Sequence, residues 1–215
     1  MRHVAGLIFA VLLAVAPIPG QASLPAGSGP RIDPVRYRLD PARSTFMIHA
    51  NRSGLAWFRG KSHRIGAKDF GGEVSLVPDA LNPASLELTV RTASLEETDP
   101  IFTEQEKGII KKELDEIVLE TAKYPEIKFK STDVKGSIAQ GAFDVEIGGD
   151  LTLHGVTKHI TIPARVTLEG NSLRAVGEFD INRKKWGVKA TTAARGLVRV
   201  RHTIKFKFDI IGTRI

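Results

Sequence analysis

The sequence predicts an all-β protein, mainly an antiparallel β-barrel of about eight strands, with one or two short helices in the 103–122 region. Three observations predict it: apolar and polar residues alternate in many segments, turn-forming residues separate those segments, and one stretch has helical spacing. The alternation is clearest in residues 203–210, where every second residue is apolar, and such a period of two is typical of a strand buried on one face. The apolar residues there are Ile204, Phe206, Phe208 and Ile210.

The same alternation recurs in residues 143–154 and 158–169 and, in shorter form, at several other places. Gly170–Asn171, Gly148–Gly149 and the stretch from Pro78 to Pro83 are expected to be turns between strands. Together these segments make eight or nine strands. The shorter alternating segments contain Phe46 with Ile48, Val74 with Leu76, Leu86 with Leu88 and Val90, and Ile127 with Phe129, and a weaker one covers 172–180.

Closing such a sheet into a barrel removes the unpaired strand edges. A barrel of about eight strands encloses just enough space for side chains or for one small ligand. The inward residues are Ile, Leu, Val and Phe, so a lumen here would accept an apolar guest. From the residues alone, a fully packed barrel and a two-sheet sandwich remain alternatives.

The helical segment lies between Thr103 and Ala122, where apolar residues recur at helical spacing with Lys and Glu between them. Gly108 and β-branched residues weaken it, so two short helices are an alternative to one. Thr103 and Glu106 have the spacing of a capping box at its start. Pro125 favours an extended Tyr124 and therefore the start of the next strand.

The first 22 residues have the pattern of a cleaved secretory signal peptide, with Arg2 and His3 before an apolar run that Pro17 interrupts. That run is shorter than the roughly 20 residues that span a bilayer, although an uncleaved anchor is the alternative. We therefore expect residues 1–22 to be a signal peptide, 23–34 a linker and 35–215 one domain. The mature protein is expected in the periplasm, with secretion as the alternative.

The composition excludes several classes of function. The chain contains no cysteine, which rules out disulfides, thiolate metal sites and a cysteine nucleophile. The net charge of +7 is spread along the chain, and no aromatic residues stand between the basic residues of its densest pieces. We therefore expect no nucleic-acid partner.

No catalytic pattern fits its required spacing or context. The segment 54–62 has one residue too many between its glycines for a phosphate-binding loop and lacks the βαβ context. His154 and His159 flank a predicted turn and could bind a metal only with ligands from elsewhere. His63 follows two aromatic residues in a loop-like stretch and could donate to a ligand headgroup at a barrel mouth. We predict no catalytic residues and no metal site, with a His-based metal protein that uses His63 with His154 or His159 as an alternative.

Six sequence blocks, in order, resemble the YceI-like family, which is also described as lipid- or polyisoprenoid-binding. The most specific block is GDLTLHGVTK at 149–158, and YPEIKFKST at 124–132 is a close match. Two positions depart from the family pattern: Arg43 replaces a common histidine, and Lys61 replaces the first histidine of a Gly-His-x-His pattern found in one subgroup. The other blocks are YRLD at 37–40, STF at 44–46, FGGEV at 70–74, and FDINR at 179–183 with Gly187.

The resemblance implies an extended, lipocalin-like barrel over residues 36–212, exported to the periplasm. It also implies a carrier or reservoir for a polyisoprenoid, an isoprenoid quinone or a fatty acyl compound, bound non-covalently in the lumen, with no enzymatic activity and no cofactor. A periplasmic stress or interaction protein with a filled barrel is the alternative. Transient membrane contact for ligand exchange and a homodimer are further expectations.

Strand phase and the resemblance together select the candidate ligand-binding residues, with His63 as the headgroup candidate. The lumen candidates are Phe46, Ile48, Phe58, Leu88, Val90, Ile127, Phe129, Val145, Ile147, Leu151, Leu153, Phe179 and Trp186.

Overall fold

The computed structural model describes residues 33–54, 60–193 and 198–215. These residues form mainly β-strands, with one α-helix, α1 (Glu104–Glu113), that continues into a π-helical turn at Leu114–Val118. In chain order the strands are β1 (Val35–Leu39), β2 (Thr45–Ala50), β3 (Arg52–Ser53), β4 (His63–Ala67), β5 (Phe70–Leu76), β6 (Ala84–Arg91), β7 (Leu95–Glu97), β8 (Glu126–Ala139), β9 (Ala142–Leu153), β10 (Val156–Glu169), β11 (Ser172–Asn182), β12 (Thr192–Ala193), β13 (Val198–Val200) and β14 (Thr203–Arg214).

Eight antiparallel strands close into a barrel, as the alternation predicted. They are hydrogen-bonded in the order β1–β5–β6–β8–β9–β10–β11–β14, and β14 pairs back to β1. The closing strand β14 pairs with β1 through Arg214 and with β2 through Lys205, so β1 and β2 act as one interrupted strand. Closure leaves no free edge among these eight strands, which explains how long one-sided strands avoid edge-to-edge association.

The segment between β7 and β8 covers one end of the barrel. It contains α1 and the π-helical turn, which together we call the lid (residues 104–118). We call the end of the barrel beneath the lid the lid end. Thr103 caps α1 as predicted: its hydroxyl accepts from the Glu106 backbone N–H, and the Glu106 carboxylate accepts from the Thr103 N–H. Within the described ranges, no helix is both long and apolar enough to cross a bilayer.

Gly148 and Gly149 lie inside β9, so the turn predicted there was wrong. Both residues are buried, and Gly149 is paired with Ile160 of β10 and Ser131 of β8. A Cβ atom on Gly149 would lie 2.5 Å from the Phe129 ring and 2.6 Å from the Lys130 carbonyl oxygen. Gly149 therefore allows an aromatic ring to pack against the strand, and Gly148 makes room for the Asp133 carboxylate. The turns predicted at 170–171 and 78–83 do connect strands.

Two apolar clusters line the inside of the barrel, one towards each end. The lid-end cluster includes Ile65, Leu95 and Leu153, and the inner residues of the lid pack against it. The cluster at the opposite end includes Phe143 and Leu173, and the connection between β5 and β6 packs against it through Leu81. The space between these clusters holds the candidate site.

Candidate functional site

An elongated apolar cavity, the lumen cavity, runs through the barrel. About 1400 Å³ of space lies between its lining atoms, including the part open to solvent. Of the described residues that line it, only Ser85 has a polar side chain. A wall of this kind offers dispersion contacts and apolar burial along its whole length but almost no hydrogen bonds.

The structure brings most of the predicted lumen candidates together in this wall. Phe58 lies outside the described residues. Trp186 is buried but does not line the cavity; its indole N–H donates to the Leu151 carbonyl oxygen at 3.3 Å, which holds the turn after β11 against β9. The candidates that line the cavity are Phe46, Ile48, Leu88, Val90, Ile127, Phe129, Val145, Ile147, Leu151, Leu153 and Phe179.

The predicted candidates omitted part of the wall. Val74 of β5 belongs to an alternating segment of the sequence but was not among the candidates, and Leu39 lies in β1. Leu81 reaches the cavity from the connection between β5 and β6, so the alternating pattern of the strands could not identify it. Aromatic rings form one side of the wall: the rings of Phe179 and Phe206 stack with centroids 4.8 Å apart.

A second cavity, the mouth cavity, joins the lumen cavity at the lid end. About 890 Å³ lies between its lining atoms, including the part open to solvent. The inner face of the lid contributes Ile110, Leu114 and Val118. The two cavities share wall residues, so they adjoin, and the wall of the mouth cavity also includes the charged residues Glu113, Arg183 and Lys189. The shared residues are Ile48, Leu95, Ile127, Leu153 and Phe206.

His63 lines the mouth cavity and is held by a buried carboxylate. Its Nδ1 lies 2.8 Å from an oxygen of Glu97, whose side chain has no exposed surface. The other Glu97 oxygen accepts from the backbone N–H groups of Arg64 and Asp99. Burial raises the pKa of Glu97, but the hydrogen bond from His63 and the two backbone N–H groups outweigh it, and the pKa lies below its usual value.

Glu97 was not among the predicted site residues, although its position carries a signal. It lies on the same buried face of β7 as Leu95. A carboxylate on such an apolar face needs several hydrogen-bond donors to be stable there. The three hydrogen bonds supply them. Glu97 therefore fixes both the end of β7 and the ring of His63.

Lys61 connects the loop before β4 to the segment around the lid. Its ammonium donates to a Glu106 oxygen at 2.8 Å and to the Ile101 carbonyl oxygen at 3.2 Å, and lies 4.7 Å from the centre of the Phe102 ring. The same ring stacks on His63 with centroids 5.2 Å apart. The lysine that departs from the subgroup pattern therefore helps to hold the lid.

The other two histidines have separate partners. His154 Nε2 lies 2.7 Å from a Glu120 oxygen, just beyond the lid, and its ring packs against Tyr124. His159 lies on the exposed face of β10, with Asp150 as its partner at 3.3 Å. In the described part of the chain, no group of three His, Asp or Glu side chains could hold a metal ion. The expected absence of a metal site remains a prediction.

Comparison with known proteins identifies relatives of this chain. The family model described as a YceI-like domain matches residues 37–211. A UPF0312 protein of Pseudomonas fluorescens is 38% identical over 133 residues, which are 56% of this chain and 61% of that protein, so the match spans less than two thirds of the relative. Protein YceI of Escherichia coli O6:H1 is 32% identical over 150 residues, 68% of each chain.

Solved structures with the same fold have low sequence identity to this chain. BcnA of Burkholderia cenocepacia has a TM-score of 0.65 at 18% identity, over 81% of this chain and 99% of that one. A polyisoprenoid binding domain from Saccharophagus degradans, implicated in plant cell wall breakdown, has a TM-score of 0.58 at 15% identity, over 83% and 98%. At these identities the likeness concerns the fold.

Proposed function

This chain belongs to the YceI-like domain family, and on that premise we propose that it is a binding protein that holds a long apolar, lipid-like ligand in its barrel. The ligand class is a polyisoprenoid, an isoprenoid quinone or a fatty acyl compound, and the role is that of a carrier or reservoir. The name of the Saccharophagus degradans neighbour, a polyisoprenoid binding domain, supports this class.

The observation that carries the proposal is the apolar wall, in which Ser85 supplies the only polar side chain among the described lining residues. A guest in such a cavity gains affinity from apolar burial, about 25 cal/mol per Å² before the costs of association. Polar groups at the mouth, among them His63, would orient the head.

A binding role rather than an enzymatic one also fits this wall. Catalysis of acid–base or nucleophilic type needs polar groups within hydrogen-bond reach of the reacting atoms. Along the lumen cavity such groups are scarce, and the hydrogen-bonded histidines lie at the lid end or on the barrel's outer face. We expect no cofactor and no covalent intermediate.

Uptake of a ligand by delipidated protein tests the proposal. We expect saturable 1:1 binding of a long-chain isoprenoid quinone, a long-chain isoprenol or a fatty acid. Native mass spectrometry measures this binding. Affinity should rise with chain length, because each buried CH2 group contributes about 0.8 kcal/mol. A short-chain quinone with the same ring is the matched control. Failure of all long-chain compounds to bind, or affinity that is independent of chain length, would contradict the proposal.

Export and ligand exchange complete the proposal. Residues 1–22 would direct the chain to the periplasm and be removed, and the guest would enter and leave during transient contact with a membrane, because it is poorly soluble in water. The intact mass of protein from the periplasmic fraction should correspond to a chain that begins at Ser23. The full-length mass in the cytosolic fraction would contradict export. Sedimentation of the same material tests the expected homodimer.

A further inference from the structure

A dense group of cations, which we call the basic face, lies beside the mouth cavity. The sequence from 181 to 208 contains no Asp or Glu, so the charged side chains of this long stretch are cationic. Apart from the partly buried Arg183, the cationic residues of the basic face are exposed. The basic face consists of Arg183, Lys184, Lys185, Lys189, Arg199 and Arg201.

Hydrogen bonds hold together the segments that carry these cations. The guanidinium of Arg183 donates to the carbonyl oxygens of Val188 at 2.8 Å and Arg201 at 3.2 Å. The backbone N–H of Arg201 donates to the Asn51 carbonyl oxygen at 2.7 Å, and β13 pairs with β3. The turn after β11 and the strand β13 therefore present their cations on one connected surface.

Most cations of the basic face have no carboxylate partner among the described residues. The ion pairs of the described chain, at distances up to 4 Å, include neither Arg201 nor any cation of residues 183–189. Asp180, the acidic residue that precedes this stretch, lies 3.7 Å from the ammonium of Lys205. The positive charge of the basic face is therefore available to an anionic partner.

The electrostatic potential at the basic face is positive. His202 lies next to these cations, and burial lowers the pKa of its imidazole. The charges of Lys184, Arg183 and Arg199 lower that pKa further, because a further positive charge among them is unfavourable. Cations from both segments therefore act on the same point.

The basic face adjoins the mouth cavity. Arg183 and Lys189 line this cavity together with the inner residues of the lid. The lid has the opposite net charge, with five carboxylates and three ammonium groups in residues 104–118. An anionic surface would attract the barrel through the basic face and not through the lid, and the mouth cavity would then lie next to that surface.

We propose that the basic face docks the barrel on an anionic phospholipid bilayer, with the mouth cavity beside the membrane surface. This inference rests on the proposed function and names the partner from which the apolar ligand is taken up. Clustered Lys and Arg residues are attracted to anionic bilayers, and each contributes about fivefold to the affinity near the surface. A bilayer fits this position better than a nucleic acid, because a ligand that is poorly soluble in water reaches the adjoining cavity from a membrane.

Sedimentation with vesicles of defined composition tests the inference. The mature protein is mixed with vesicles of phosphatidylglycerol and phosphatidylcholine in equal amounts, or of phosphatidylcholine alone. At low salt we expect binding to the anionic vesicles to be about tenfold stronger or more, and we expect the difference to vanish at about 1 M salt, where the Debye length is about 3 Å. Equal binding to both kinds of vesicle would overturn the inference. So would binding of duplex DNA without binding of anionic vesicles, which would identify a nucleic acid as the partner.

Variants locate the docking surface. Lys184→Gln combined with Lys185→Gln removes two exposed charges that do not line the mouth cavity, and it should weaken binding to the anionic vesicles about twentyfold. The matched control combines Arg43→Gln with Arg214→Gln, which removes two exposed charges away from the lid end and should change binding little. Equal losses in the two double variants would show that net charge drives binding, and would overturn the assignment to the basic face.

Transfer of a ligand separates this inference from the proposed function. Neither double variant alters a residue that lines the lumen or mouth cavity, so both should bind geranylgeraniol with wild-type affinity. Transfer of geranylgeraniol from anionic vesicles to the protein should be slower in the variant of Lys184 and Lys185 than in the control. Equal transfer rates would overturn the role of the basic face in uptake. A wild-type protein that binds anionic vesicles but takes up no isoprenoid or fatty acyl compound would instead contradict the proposed function.

Discussion

Replacing Ile48 by tryptophan is expected to abolish the uptake of long-chain ligands while leaving the barrel folded. Ile48 is partly buried and lines both the lumen cavity and the mouth cavity. An indole at this point would fill the passage between them, so a chain could no longer extend from the mouth into the barrel. We expect affinity for a long-chain quinone or isoprenol to fall by about a hundredfold or more, equivalent to about 2.7 kcal/mol.

The matched control adds the same side chain outside the barrel. Val176 lies on β11 and is 42% exposed, on the face opposite to the lumen. Val176→Trp should therefore leave uptake unchanged. Overpacking costs typically about 1–3 kcal/mol, so thermal unfolding of both variants is measured alongside binding. Normal uptake by a folded Ile48→Trp variant would show that the ligand does not occupy this passage.

Replacing Glu97 by alanine is expected to destabilise the protein strongly. Glu97 is fully buried and accepts hydrogen bonds from two backbone N–H groups and from His63. Each buried donor left without a partner costs about 1–3 kcal/mol, so we expect a loss of about 2–5 kcal/mol in the free energy of unfolding. Glu96→Ala, at the exposed neighbouring position, is the control and should cost little.

Glu97 also predicts how stability depends on pH. Because its pKa is lower in the folded chain than its usual value of 4.5, the folded state favours the ionised form. This contribution to stability is present above pH 4.5 and is lost as the pH falls through the folded-state pKa. Chemical unfolding at a series of pH values should show that loss in the wild type and a smaller loss in Glu97→Gln. Identical pH dependence in both proteins would contradict this role.

Much of the barrel could be predicted because one physical signal repeats along the chain. Strands with one buried face carry an alternating pattern, and the capping box of the lid is a local interaction between Thr103 and Glu106. The wrong turn at Gly148–Gly149 shows the limit of such reasoning. Adjacent glycines favour a turn by conformational freedom, but here Gly149 makes room for the Phe129 ring and Gly148 for the Asp133 carboxylate, both in the neighbouring strand β8.

The polar features of the site could not be predicted because they join residues far apart in the sequence. The hydrogen bond between His63 and Glu97 depends on the pairing of β4 with β7. The polar surface near Ser53 and Arg199 depends on a small sheet in which β3 pairs with β13, and this places Ser53 opposite Arg199. Neither pairing has a local signature, whereas most of the apolar wall follows from the alternating pattern of the strands.

Native mass spectrometry of the protein purified from its host without detergent shows directly whether the barrel carries a ligand. We expect a complex that contains one copy of a long apolar compound, which organic extraction releases and which delipidated protein takes up again. The contradicting result is a chain that carries no ligand as purified and, once delipidated, takes up neither an isoprenoid nor a fatty acyl compound.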